Sequence, residues 1–174
     1  MKTKTLTVGT SSSGFTLLEL IVVMALLGMM LLFTMPSFHN VLGEDQTKKI
    51  ALWITVQTKT LKENAYRGQK LYSLHVSLDN GTLWVTDESM NEELLEAAAN
   101  QGFTLPDDYA IVDIEYPVKG KISSGETEIC FYKGGYSDKV FIHVQDNDNN
   151  QMSFLIEPFL PKVKIYDDYV GFES

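Results

Sequence analysis

The run from Leu20 to Phe33, in which every residue is apolar or glycine, constrains this chain of 174 residues more than any other feature. Extended from Phe15 to Phe38, the segment holds one charged residue, Glu19. As a helix it would be roughly 36 Å long, enough to cross a hydrocarbon core of about 30 Å. A carboxylate near the edge of such a segment costs roughly 2.5–3.5 kcal/mol even on lenient insertion scales, so Glu19 signals a role. Pro36, near the outer end, removes one backbone hydrogen bond and predicts a bend there.

Ahead of the run, residues 1–13 carry Lys2 and Lys4 and no acid. Those charges favour keeping the N-terminus on the cytoplasmic side. A secretory signal would follow its apolar stretch with a small-residue cleavage site, and Thr34-Met35-Pro36-Ser37-Phe38 is a poor one. The cut therefore belongs before the run, and the helix stays with the mature chain. No cysteine stands just behind the run, which speaks against a lipoprotein anchor. The residues Gly14-Phe15-Thr16-Leu17-Leu18-Glu19, between a short basic leader and a hydrophobic helix, resemble the type IV prepilin signal. That resemblance implies cleavage after Gly14, methylation of the new N-terminus at Phe15, and Glu19 as the acidic residue used in assembly.

Beyond Pro36 the apolar positions thin to a helical rhythm: Phe38, Val41, Leu42, Ile50, Trp53, Ile54, Leu61, Ala65. Spacings of three and four place them on one face, with Lys48, Lys49, Lys59 and Lys62 mostly elsewhere. Gly68 is a good helix stop. One long helix from about residue 15 to about residue 67 is expected. The remainder alternates like strands. Tyr72–Leu78 and Thr82–Thr86 flank the turn Asp79-Asn80-Gly81. A short helix follows at Met90–Asn100, with Asp87 or Ser89 as its cap. Further strands are expected at Tyr109–Tyr116, Glu128–Tyr132, Lys139–Gln145, Gln151–Glu157 and Lys162–Tyr166.

A net charge of −9 removes the basic footprint that nucleic-acid binding requires, so no nucleic acid is expected as a partner. The single cysteine, Cys130, excludes an intrachain disulfide and reads as a small buried residue between Ile129 and Phe131. His39, His75 and His143 fall on three separate elements, the latter two on polar strand faces where solvent exposure is expected. Asp146-Asn147-Asp148-Asn149-Asn150, with Glu157 further on, has the alternating oxygens of a calcium loop. Gln151 stands where that loop needs glycine, and a hairpin turn explains the same residues. No catalytic motif is visible, and neither an enzyme, a metal nor a cofactor is expected.

The N-terminal signal and the β-rich remainder together resemble the GspH/FimT family of minor pilins and pseudopilins. A weaker likeness lies in Glu128–Asp138, where an aromatic strand end and a glycine turn precede a hairpin. The resemblance implies an α+β, pilin-like fold. In it one long N-terminal helix, transmembrane in its first half, packs on a C-terminal antiparallel β-sheet domain. It divides the chain into a leader (1–14), a transmembrane and filament-core helix (15–38) and a periplasmic pilin-like domain (39–174). It further implies a structural subunit of a type II secretion pseudopilus, anchored in the bacterial inner membrane. The implied partners are other pseudopilins, a prepilin peptidase and an inner-membrane assembly platform. A minor type IV pilin and an unprocessed, membrane-anchored binding domain are the alternatives.

Overall fold

The structure, a computed structural model, describes residues 16–33 and 38–172. It divides into two compact units, Met1–Gly43 and Glu44–Ser174.

The first unit holds α1 (Leu17–Phe33) and the start of α2 (Phe38–Gly68). Thr16 opens α1 by lending its Oγ1 to the Glu19 N–H at 3.3 Å. Thr16-Leu17-Leu18-Glu19 thus has the spacing of a capping box, and Glu19 also lies where a helix dipole favours an anion. The large side chains of α1 from Leu17 to Met30 are exposed, Leu17 at 78%. At 17 residues α1 is about 26 Å long. No helix among the described residues is long and apolar enough to cross a membrane. The rest of the expected span, Phe15 and residues 34–37, falls outside the described residues, and so does the expected bend at Pro36.

In the second unit α2 leads into β1 (Tyr72–Ser77), β2 (Thr82–Asp87), α3 (Glu92–Asn100) and β3 (Phe103–Thr104). Then come β4 (Tyr109–Tyr116), β5 (Gly120–Ile122), β6 (Glu126–Phe131), β7 (Val140–Asp146), β8 (Gln151–Ile156) and β9 (Lys164–Tyr166). Two antiparallel sheets form, ordered β3-β2-β1-β6 and β5-β4-β7-β8-β9. This is the α+β, pilin-like architecture expected from the sequence. The turn at Asp79-Asn80-Gly81 closes the first hairpin, with Gly81 in the left-handed region at φ 59°. Three details differ from expectation. The loop after Tyr116 contains the short strand β5, Phe103–Thr104 adds an edge strand to the first sheet, and α3 starts at Glu92. Asn91 is its cap, accepting from the Leu94 N–H at 3.0 Å. Asp87 is unavailable as a cap because its carboxylate already binds the Ser89 backbone.

The core lies between α2 and the two sheets. Ile50, Ile54, Leu61 and Ala65 meet Leu74, Val76, Leu83, Ile129 and Phe131 of the first sheet and Ile114, Ile142, Phe154 and Ile156 of the second. Lys62 corrects the sequence reading of α2. It is 7% exposed, and its ammonium donates to the backbone carbonyls of Glu157 (2.5 Å) and Leu160 (2.7 Å). The helix thereby ties down the loop Pro158–Pro161, whose backbone pairs with no strand and needs donors. Burial lowers the Lys62 pKa to about 8, against the opposing pull of Glu157.

Candidate functional site: the N-terminal segment

Of the four residues singled out in the sequence, the structure places Glu19; Gly14, Phe15 and Pro36 lie outside the described residues. Glu19 sits exposed in the first turn of α1, among Leu17, Leu18 and Leu20, which are exposed as well. A helix that is apolar on nearly every side has no single stripe to lay on a core. One carboxylate at the start of such a helix can pair with a cation brought by whatever covers it. Sequence reasoning missed Thr16, although the Thr-x-x-Glu spacing that marks it as a cap was visible.

The globular unit offers little chemistry to compete with this segment. Among its described residues no group of three or more His, Cys, Asp or Glu could hold a metal ion. A cleft of 520 Å³ between α2, β2 and α3 is lined by Trp53, Gln57, Trp84, Ala98 and Phe103, with Trp53 and Phe103 stacked at 4.5 Å. None of its lining side chains titrates. A second cleft, of 370 Å³, is bounded by Leu71, Tyr132 and Tyr136, and its Glu88 and Lys133 pair with each other at 2.7 Å.

In the Asp146–Asn150 turn, the Asp146 carboxylate spends its acceptors on the turn itself. Asp146 Oδ1 takes the N–H groups of Asp148 (2.9 Å) and Asn150 (2.8 Å), and Oδ2 takes the Asn150 side-chain amide at 2.9 Å. Glu157 lies past the end of the return strand, where it pairs with Lys164. A structural turn of this kind should melt at the same temperature in calcium as in chelator, because only a ligand of the native state raises the midpoint. Thermal scans of the purified protein check this; a rise of several degrees at millimolar calcium would overturn it.

Two further expectations need correction. His143 is not solvent-exposed: it is 0% exposed, because residues beyond β9 cover its face of the sheet. Its strand does alternate as expected, with Val140, Ile142 and Val144 turned to the core. His75 is half-buried, stacked on Trp84 at 5.2 Å and bonded to Thr86 at 2.8 Å. Cys130 is only half-buried, since Ile129 and Phe131 on either side take the core face and strand alternation turns Cys130 away. Burial, then the nearby Asp138, still push its thiol pKa up, away from reactivity.

The N-terminal segment and the α+β globular unit are each similar to parts of known pilin-like proteins. The family model described as the prokaryotic N-terminal methylation motif matches residues 10–35. Among solved structures, the fold is similar to the minor pseudopilin EpsH from the type II secretion system of Vibrio cholerae. The TM-score is 0.53 at 11% identity, covering 74% of this chain and 98% of that one. Motif and fold together support the resemblance to a GspH-like pseudopilin. No curated protein matches the sequence.

Proposed function

We propose that this chain is a minor pseudopilin, a non-enzymatic structural subunit of the periplasmic pseudopilus of a type II secretion system. The observation that carries the reading is the methylation motif at residues 10–35 on a chain whose globular unit folds like EpsH. In this reading residues 1–14 are a leader that a prepilin peptidase removes after Gly14, and the amine of Phe15 is then methylated. Residues 15–38 form the helix that first spans the inner membrane, bends at Pro36 and later packs in the filament core. Residues 39–174 form the periplasmic domain. The exposed apolar surface of α1 supports a helix that moves from lipid to a bundle of similar helices, since both environments cover it on all sides. Glu19 is the carboxylate through which the incoming subunit docks. Other pseudopilins and the inner-membrane assembly platform are its partners.

The test is the mass of the chain recovered from cells. The expected mature form begins at Phe15 and is heavier by one methyl group, and Gly14→Trp leaves the precursor uncut in the membrane. An intact N-terminus in the native protein, cleavage after the apolar run, or unchanged maturation of Gly14→Trp sinks the assignment.

A further inference from the structure

Residues 167–172 cross the outer face of the second sheet without joining it as a strand. Their backbone is held by sheet side chains. Ser153 Oγ donates to the Asp168 carbonyl at 2.7 Å and accepts from the Val170 N–H at 2.9 Å. His143 Nε2 lies 2.9 Å from the Val170 carbonyl, and Glu115 Oε1 accepts from the Phe172 N–H at 3.2 Å. The Tyr169 ring stacks on His143 with centroids 4.0 Å apart, and its hydroxyl donates to Asp113 Oδ2 at 2.8 Å. Asp113, His143 and Ser153 stand directly opposite one another on β4, β7 and β8, so a single row grips the crossing segment.

The proton count of that row follows from its geometry. Val170 O can only accept, so His143 Nε2 carries a hydrogen. Nδ1 lies 2.7 Å from Asp113 Oδ1, and that contact needs a second hydrogen, on the ring or on the carboxyl. Removing one proton leaves a single hydrogen for two acceptors. The carboxylate is the stronger of the two, so the hydrogen stays between Nδ1 and Asp113 and the Val170 carbonyl is left facing a lone pair. The other charged groups set against the row and the crossing segment are the Glu115 carboxylate, the Lys121 ammonium, 4.7 Å from the Tyr169 ring centre, and the Lys139 ammonium, 4.9 Å from the Phe172 ring centre. Tyr169 does not titrate first: burial, and then the bond to Asp113, push its pKa up, with Lys121 opposing.

We infer that residues 167–172 form a proton-operated latch, clamped while the Asp113–His143 pair holds two protons and released from the sheet when one is lost. Release uncovers Ser153, His143 and Phe141, the last of which packs on Phe172 at 4.7 Å in the clamped state.

Hydrogen–deuterium exchange of the full chain in detergent tests the latch, with labelling times scaled for the intrinsic pH dependence of exchange. Between about pH 5 and about pH 8.5, where imidazoles commonly change charge, protection in peptides covering 167–172 should fall at least about tenfold. Peptides from β7 and β8 should keep theirs. In His143→Gln, which cannot titrate, the change should shrink below about twofold. Wild-type protection that does not vary with pH overturns the latch, as does an unaltered pH dependence in His143→Gln. Simultaneous loss of protection in β7 and β8 overturns it too, since that marks global unfolding. The wild-type series decides alone if the variant does not fold.

Discussion

Glu19→Ala is expected to leave leader cleavage and membrane insertion intact and to cut recovery with filament partners at least about tenfold. The reason is charge. No basic side chain occurs between Phe15 and Phe38, so on the proposed cleavage after Gly14 the cation available to Glu19 is the α-amine of Phe15, its own or that of a neighbouring subunit. In the proposed mature chain four residues of sequence separate that amine from Glu19, a spacing that would permit self-pairing if the helix began at Phe15. In a filament the same carboxylate can neutralise the amine of an incoming subunit. Two unit charges at about 4 Å attract by about 4 kcal/mol at an effective dielectric of about 20, and a tenfold loss requires only about 1.4 kcal/mol. The capping contact in the structure supplies a competing explanation, since the Glu19 N–H bonds Thr16 Oγ1 and Ala forfeits the rest of the capping box. Glu19→Gln separates the two. It keeps the capping-box side chain and removes the charge, so it should fail as Ala does. Co-purification of crosslinked partners from cells gives the answer, and full recovery with Gln would assign Glu19 to the cap.

The second large effect concerns Lys62. Relative to Lys62→Met, the wild-type domain is expected to gain up to roughly 3 kcal/mol of stability as pH rises from about 8 towards 10.5. Burial lowers its folded-state pKa from 10.5 to about 8, so in that window the unfolded chain binds a proton that the folded chain has released. Stability therefore rises with pH, and below about pH 8 the desolvation cost of the charged form is fully present. Deprotonation forfeits no hydrogen bond, because a neutral amine still offers two N–H groups to the carbonyls of Glu157 and Leu160. Tyr116 and Tyr132, whose pKa values burial raises, pull in the opposite direction in both proteins. The quantity to measure is thus the difference between the two denaturant midpoints across the window. A difference that stays constant from pH 8 to pH 10.5 would show that Lys62 is no more buried in solution than an ordinary lysine.

Several features were settled by residues close together in the chain. The helix at Leu17–Phe33 follows from the apolar run Leu20–Phe33, and α2 follows from apolar spacings of three and four that end at Gly68. The first hairpin follows from Asp79-Asn80-Gly81, because a glycine takes the left-handed backbone at this turn without steric cost and so lets Ser77 meet Thr82. The methylation motif was likewise legible, since it is a short linear run of residues. Alternation also assigned the core face of β7 correctly. What alternation cannot say is whether the opposite face meets water. His143 is polar and turned outward, yet it is fully buried because residues 167–172, more than twenty positions away, fold back over it. Lys62 fell on the wrong side of the reading for a related reason. Its helical position borders the apolar stripe, and only Glu157 and Leu160, almost one hundred residues later, supply the carbonyls that make burying an ammonium tolerable. Local pattern thus determined where the elements lie, whereas the fate of polar side chains at their margins depended on partners that only the folded chain brings within reach.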